Sequence, residues 1–80
     1  MEITIRLLAA YRRYLPYDPN GQDSFPQIVA PGATVGHVLS CLPIPPGEAC
    51  TFFVNGRHAE RDRSLQAGDV LTVFPAAGGG

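Results

Sequence analysis

The chain lacks the features that mark membrane proteins and nucleic-acid-binding proteins. No apolar run approaches the roughly 20 residues that a bilayer-spanning helix needs. The first residues are not a basic segment followed by an apolar stretch, so the sequence predicts no secretory signal peptide. The chain has no lysine, and its six arginines against seven acidic residues give a net charge of −1, which indicates neither a nucleic-acid nor an anionic-membrane partner. We therefore expect a cytoplasmic protein.

The chain is also poor in residues that bind metals or carry out catalysis. Cys41 and Cys50 lie nine positions apart, which matches no metal or redox signature, and we interpret both as small reduced core residues. His37 and His58 have no acidic or cysteine partner at ligand spacing, so we interpret them as ordinary surface or boundary residues. No Ser-His-Asp set, phosphate-binding loop or dinucleotide motif is present. The sequence therefore predicts no metal site, no bound cofactor and no catalytic apparatus of its own.

The first part of the chain predicts two strands. An 80-residue chain makes one small domain, and its 9 Gly and 8 Pro indicate many tight turns. Ile3, Ile5 and Leu7 alternate with polar residues, the period of a half-buried strand. Residues 10–24 read as a long loop that ends in an Asn-Gly turn. Residues 25–30 form a second, short strand, which Pro26 confines to an edge of the sheet.

The second part predicts one helix and three strands. Thr34 is a candidate N-cap for an amphipathic helix of two to three turns, and Pro43 follows its last apolar residue. Residues 51–54 and 57–60 form a hairpin around Asn55-Gly56, and residues 70–74 form the last strand. Leu65 is the one apolar residue in the polar connection before that strand, and we expect it to fill the core. The apolar residues on one side of the predicted helix are Val35, Val38, Leu39 and Leu42.

This element order, β-β-α-β-β-β, defines an α+β protein. If the first strand lies centrally beside the last one, the arrangement is the β-grasp (ubiquitin-like) fold, a mixed sheet of four to five strands with one main helix packed across it. Other small α+β folds share the same order of elements. We expect a β-grasp domain over residues 1–75 and a C-terminal glycine tail over residues 76–80.

The tail ends in Gly78, Gly79 and Gly80, and it follows directly after a strand. Because glycine has no Cβ, such a tail can enter a slot that is too narrow for any other residue. Residues 76–80 can extend by roughly 17 Å at about 3.3–3.6 Å per residue. The tail can therefore carry its carboxyl group into a partner's buried site while the domain stays outside.

The chain resembles the MoaD/ThiS family of ubiquitin-like sulfur carriers over nearly its whole length. The matching features are the first strand, the Gly-Ala-Thr-Val that opens the helix, the Val-Asn-Gly-Arg hairpin, the Leu-Gln-Ala-Gly-Asp before the last strand, Phe74-Pro75 and the terminal diglycine. The loop from Tyr11 to Ser24 is longer than is usual in the family. Arg57 and Phe74-Pro75 favour the molybdopterin-synthase small subunit, whereas the short segment 43–49 is closer to ThiS.

The resemblance implies a carrier that is not itself an enzyme, although it can be the small subunit of a molybdopterin synthase. An E1-like adenylating enzyme would use ATP to activate the carboxyl group of Gly80, and a thiocarboxylate would then form there. Gly78 and Gly79 would give access to the active site of that enzyme. The thiocarboxylate would donate its sulfur to an acceptor or to a synthase large subunit in cofactor biosynthesis, with molybdopterin as the leading pathway. The free carrier is expected to be a monomer.

Three alternatives stay open. The carrier can serve a thiamine-type or other sulfur pathway, the chain can be a ubiquitin-like modifier that forms isopeptide bonds, or it can be a β-grasp interaction module with an inert tail. Because the chain has no lysine, lysine-linked self-polymerisation is excluded. For partner binding we predict one face of the last strand, together with the residue that ends it, as a partly exposed contact surface: Val70, Thr72, Phe74 and Pro75.

Overall fold

Five strands, one α-helix and one 3₁₀ helix make up the computed structural model, which describes residues 1–15, 22–45 and 47–76. The helix α1 covers Val35–Ser40, and the 3₁₀ helix covers Ala9–Tyr14. Among the described residues, no helix has the length and apolar character needed to cross a membrane. The strands are β1 (Glu2–Leu7), β2 (Ser24–Ile28), β3 (Cys50–Val54), β4 (Arg57–Ala59) and β5 (Val70–Pro75).

The strands form one mixed sheet in the order β2-β1-β5-β3-β4. The first and last strands pair in parallel at its centre, with Ile5 opposite Leu71 and Leu7 opposite Val73. The other pairs are antiparallel, and β2, which contains Pro26, lies at one edge as predicted. A central parallel pair of first and last strands is the arrangement that distinguishes the β-grasp fold, so the prediction of this fold is confirmed.

The two faces of the sheet differ in what covers them. On one face, alternate residues of β1, β3 and β5 pack with Val35, Val38 and Leu39 of α1 to form the core. Leu65 joins this core and is buried, as the sequence predicted. Because side chains alternate along a strand, the intervening residues point to the opposite face, away from α1. We call this second surface the open face; its residues from β5 are Val70, Thr72 and Phe74.

The helix begins where the sequence predicted and ends earlier. The Thr34 side chain accepts a hydrogen bond from the backbone N–H of His37 at 3.2 Å and so caps the N-terminus. The helix has six residues, fewer than the two to three turns expected. The N–H groups of Cys41 and Leu42 bond to carbonyls three residues back, a tighter turn than the α-helix allows. Pro43 disfavours helical backbone at Leu42, which still packs against the core from outside the helix.

The segment predicted as a loop over residues 10–24 is in part a 3₁₀ helix. Ala9 takes a left-handed backbone conformation with φ of 53°, and this turns the chain out of β1. The N–H of Leu8 donates to the carbonyl of Val73, and the side chain of Tyr11 is fully buried beneath the turn. Packing of this one aromatic ring therefore orders residues whose local sequence indicates a loop. The Asn20-Gly21 turn lies outside the described residues.

The two cysteines differ from the prediction in one respect. Both are free thiols, and Cys50 packs partly buried against the core. Cys41, however, is exposed, so its interpretation as a core residue is wrong. The reason is the early end of α1, because Cys41 is the C-cap and lies beyond the last turn that faces the sheet.

A hydrogen-bonded connection joins the β3–β4 hairpin to the start of β5. Asn55 and Gly56 both have positive φ, as a tight hairpin turn requires. The Asn55 amide donates to the Asp69 carboxylate at 2.9 Å, and its side-chain oxygen accepts from the Val70 N–H at 2.9 Å. Asp69 is buried and also accepts from the Gln66 N–H at 2.8 Å. One side chain thus sets the position of the hairpin relative to the central strand.

We expect Asn55→Ala to lower the free energy of unfolding by about 1–3 kcal/mol, because it removes two hydrogen bonds and leaves a buried carboxylate short of a donor. Asn55→Gly is the matched control, since it keeps the positive φ accessible and removes the same side chain. Urea unfolding of both variants separates the two causes. If the glycine variant is as stable as the parent chain, backbone conformation, and not the hydrogen bonds, accounts for the effect.

Candidate functional site: the open sheet face and the end of the last strand

The C-terminal segment leaves the sheet at the end of β5, beside the start of β3. Pro75 lies opposite Cys50 at the start of β3, and the Ala76 N–H donates to the Ala49 carbonyl at 3.2 Å. Ala76 is the last described residue. The predicted tail residues Gly78, Gly79 and Gly80 lie outside the described part of the chain, and their role stays a prediction. The structure places the start of this tail against β3.

Aromatic side chains concentrate on the open face near this end. The rings of Phe74 and Phe53 stack with centroids 5.7 Å apart and an interplanar angle of 24°. The His58 ring meets Phe53 edge-on at 5.8 Å and 83°. Both phenylalanines are half-buried and His58 is exposed, so the cluster is available to a partner. The sequence analysis predicted Phe74 as a contact residue and missed Phe53. The alternation along β3 already places Phe53 on the face of the sheet that does not carry the core residues Phe52 and Val54.

The other predicted contact residues divide between the two faces. Val70 and Phe74 are half-buried on the open face, in agreement with the prediction that this face is partly exposed. Thr72 is only 9% exposed, so the prediction is wrong at this position. The reason is that β5 is central, and Thr72 has Arg6 of β1 and Phe53 of β3 as register neighbours on its two sides. Pro75 is half-buried and has the opposite phase, on the helix side of the sheet beside Cys50.

An ion pair borders the open face on its β2 side. The Arg6 guanidinium donates to the Asp23 carboxylate at 3.0 Å, and this hydrogen bond lowers the pKa of Asp23. Both side chains remain about one third or more exposed, so the pair adds little to stability. The stacked rings of Phe53 and Phe74 lie on the same face of the sheet.

A cavity of about 400 Å³ lies on the helix side at the same end of the sheet. Cys50, Glu48 and Arg61 contribute to its wall together with residues of α1 and of the segment that follows it. The hydroxyl of Tyr11 is buried beside Glu48 and Cys50, and this burial, together with those two neighbours, raises the pKa of Tyr11 well above its usual range. Burial raises the pKa of the Cys50 thiol, which keeps it protonated at neutral pH. Sequence reasoning had no signal for this cavity, because its wall depends on how the segment after α1 packs and on Arg61, which lies outside the stretch 36–50 that supplies the other lining residues.

The described residues contain no group of three His, Cys, Asp or Glu side chains arranged to hold a metal ion. A β-grasp domain with an aromatic open face, whose central strand ends at the C-terminal segment, belongs to the ubiquitin-like class of small proteins.

The ThiS family model matches residues 5–80, so the chain is a member of the ThiS family. No curated protein matches the chain in sequence. Among the solved structures that share its fold are the following three. A putative molybdopterin converting factor subunit 1 from Pyrococcus furiosus has a TM-score of 0.75 at 22% identity, covering 95% of this chain and 98% of its own.

The other two structures cover the whole length of both chains. SAMP1 from Haloferax volcanii has a TM-score of 0.70 at 21% identity, and covers 100% of each chain. A complex of subunits 1 and 2 of the molybdopterin-converting factor from Helicobacter pylori has a TM-score of 0.60 at 20% identity, again with 100% of each chain covered. At these identities the likeness establishes the fold that the chains share.

Proposed function

We propose that this protein is a sulfur carrier whose C-terminal carboxyl group, on Gly80, is adenylated and converted to a thiocarboxylate. The single observation that carries the proposal is the match to the ThiS family through residue 80, on a fold whose central strand leads directly into the glycine tail. The carrier has no catalytic role of its own. It presents one reactive end group to enzymes that recognise the domain.

The chemistry explains why separate enzymes are needed. A carboxylate is an anion at neutral pH and a poor electrophile, so sulfur cannot displace its oxygen without activation. An E1-like adenylating enzyme would use ATP to convert the carboxylate to an acyl adenylate and release pyrophosphate. The terminal sulfur of a persulfide donor would then attack the acyl carbon and release AMP, and a thiol would reduce the S–S bond of the resulting acyl disulfide to leave a thiocarboxylate on Gly80. Gly78 and Gly79 would allow this group to pass through a narrow channel.

The proposed acceptor is the large subunit of a molybdopterin synthase. Support comes from the two molybdopterin converting factor structures that share the fold, one of which contains both subunits of that factor. A thiamine-type pathway is the alternative within the same class. In either pathway the carrier acts in the cytoplasm and binds its partners through the open face.

Mass spectrometry of the intact protein tests the proposal. After incubation with an activating enzyme, ATP and a sulfur donor, the protein should gain the mass difference between sulfur and oxygen. The same incubation without ATP is the control and should leave the mass unchanged. A chain that forms neither adenylate nor thiocarboxylate with the activating enzymes of its own organism would contradict the sulfur-carrier function.

A second candidate function is that of a ubiquitin-like protein modifier, favoured by the likeness to SAMP1, which is described as a small archaeal modifier protein. Both functions begin with adenylation and differ in the nucleophile that accepts the acyl group. A modifier would yield isopeptide-linked conjugates on lysines of other proteins. Because this chain has no lysine, any lysine-linked product must contain a second protein, which makes conjugates straightforward to identify.

Substitution of Phe74 tests whether the open face is the surface that binds the partner. We expect Phe74→Ala to weaken binding to the partner by about 2 kcal/mol or more, because a half-exposed aromatic anchor is lost. Isothermal titration with the synthase large subunit or the activating enzyme measures this change. Ile28→Ala is the matched control, since Ile28 is 69% exposed on the same face but lies on the edge strand β2. Unchanged affinity together with a large loss of thermal stability would instead assign Phe74 a purely structural role.

A further inference from the structure

The turn between β3 and β4 carries a dipeptide that can modify itself without an enzyme. The backbone nitrogen of the residue after an asparagine can attack the side-chain amide carbon, which closes a succinimide ring and releases ammonia. Water then opens the ring to give aspartate or isoaspartate. Glycine hinders this attack least because it has no Cβ. Asn55 and Gly56 form such a pair, and both are exposed to water.

The folded turn holds the amide of Asn55 in a position from which it cannot react. The amide nitrogen donates to the Asp69 carboxylate and the amide oxygen accepts from the Val70 N–H, both at 2.9 Å. The backbone N–H of Asn55 also donates to the Val70 carbonyl at 2.9 Å. For the Gly56 nitrogen to reach the amide carbon, the side chain must leave both partners and turn back towards its own backbone. The reaction is therefore blocked while the turn is bonded to the start of β5.

The products of deamidation do not fit this connection. Aspartate would place a negatively charged oxygen where the amide nitrogen of Asn55 now lies, 2.9 Å from an oxygen of the Asp69 carboxylate. Asp69 is only 9% exposed, so water and salt screen the repulsion poorly. Isoaspartate would also add a methylene group to the backbone of the tight turn, whose geometry sets the register of the hairpin. Neither product can restore the original bonds between the turn and β5.

We propose that Asn55 is a deamidation site that reacts only when the β3–β4 hairpin separates from β5, and that the modification is one-way. The bond between the Gly56 nitrogen and Asn55 Cγ forms, the bond from Cγ to Nδ2 breaks, and ammonia leaves with the amide proton. Water then cleaves the ring, so the net change is hydrolysis of one amide. The hairpin carries Phe53 and His58 as paired residues, so a modified chain loses the connection that positions part of the aromatic cluster.

Deamidation rates measured by peptide mass mapping test the block. The full chain is incubated at neutral pH, once in buffer and once in urea above its unfolding transition. Asn20-Gly21, the same dipeptide elsewhere in the chain, provides an internal standard for the reaction in urea. Asn55 should react about 100-fold or more slowly in buffer, because only the small fraction of molecules with an open hairpin can react. Equal rates in buffer and in urea would overturn the proposal.

Low concentrations of urea distinguish opening of the hairpin from unfolding of the whole domain. Local opening exposes little surface, so the rate at Asn55 should change less than about two-fold per molar below the transition, whereas global unfolding would raise it about five-fold or more. A rise of the second size would overturn gating by the hairpin.

Two variants test the hydrogen bond that holds the amide. Asp69→Ala should accelerate deamidation in buffer about ten-fold and leave the rate in urea unchanged, because it removes the acceptor of the Asn55 amide. Asp62→Ala is the matched control, since Asp62 is an exposed carboxylate in the same connection, and it should leave both rates unchanged. Equal rates in buffer for Asp69→Ala and the parent chain would contradict the assigned role of this bond.

An exchange of the two side chains tests why the modification is one-way. Asn55→Asp reproduces the aspartate product and should lower the urea midpoint of unfolding. Combining it with Asp69→Asn again places an amide opposite a carboxylate, and this double variant should recover about half or more of the lost midpoint. A double variant no more stable than Asn55→Asp would overturn repulsion from Asp69 as the cause. No activating enzyme is present in these measurements, so their outcome is independent of whether the protein carries sulfur.

Discussion

Deletion of Gly79 and Gly80 is expected to abolish thiocarboxylate formation and to leave the melting temperature unchanged. The loss is complete because the proposed reaction occurs at the carboxyl group of Gly80, and a chain that ends at Gly78 is too short to place its carboxyl group in the same position. Stability should not change because the core of the described residues is built from side chains between Ile3 and Val73. Intact-mass measurement after incubation with the activating enzyme, together with thermal unfolding, tests both parts.

Deletion of Gly78 alone is the informative control. It keeps the diglycine end and shortens the tail by about 3.3–3.6 Å, so it tests reach separately from the identity of the last residues. A fall of many degrees in melting temperature after either deletion would show that the tail is structural. Thiocarboxylate formation by the chain that lacks Gly79 and Gly80 would contradict the assignment of Gly80.

Leu7→Ala is expected to lower the free energy of unfolding by about 2–5 kcal/mol, because it opens a cavity in the core. Leu7 is 0% exposed and pairs with Val73 where the two central strands run in parallel. A domain of this size has a total stability of roughly 5–12 kcal/mol, so this one substitution removes a large part of it. Urea unfolding measures the loss as a shift of the midpoint.

Two further substitutions make the test specific. Leu39→Ala, at a position 8% exposed on α1, should cost about as much, because it removes the helix side of the same core. Ile28→Ala should change stability by less than about 0.5 kcal/mol, because that side chain is mostly exposed. Neutral results at both Leu7 and Leu39 would mean that the buried faces of β1 and α1 are assigned the wrong way round.

The local sequence was sufficient to predict most elements of the fold. The alternation around Ile5 predicted β1 and its buried face, because the period of two is a property of the strand alone. Asn55-Gly56 predicted the hairpin because few residues adopt positive φ at two successive positions. Thr34 predicted the start of α1 because an N-cap acts within one turn. In each case the determining interaction joins residues only a few positions apart.

Predictions that depended on distant contacts were less accurate. The segment of Ala9–Tyr14 reads as a loop, and it becomes a 3₁₀ helix because Tyr11 is buried beneath it. Thr72 was expected to be exposed by its phase, and the central position of β5 between two strands buries it. Cys41 was expected in the core, and it is exposed because α1 ends before it. The outcomes at Tyr11 and Thr72 do not follow from near neighbours in sequence, whereas the exposure of Cys41 follows from Pro43 two residues later.

The sequence by itself determined the class of the protein. The order of its elements and the resemblance to the MoaD/ThiS family led to a β-grasp, ubiquitin-like domain, since periodicity, turn residues and motifs of a few residues can be read along the chain. Only the tertiary structure brought Phe53 against Phe74 and enclosed the cavity that Arg61 and Cys50 line. Such surfaces form when strands distant in sequence pair in one register, and that pairing depends on how the whole core packs.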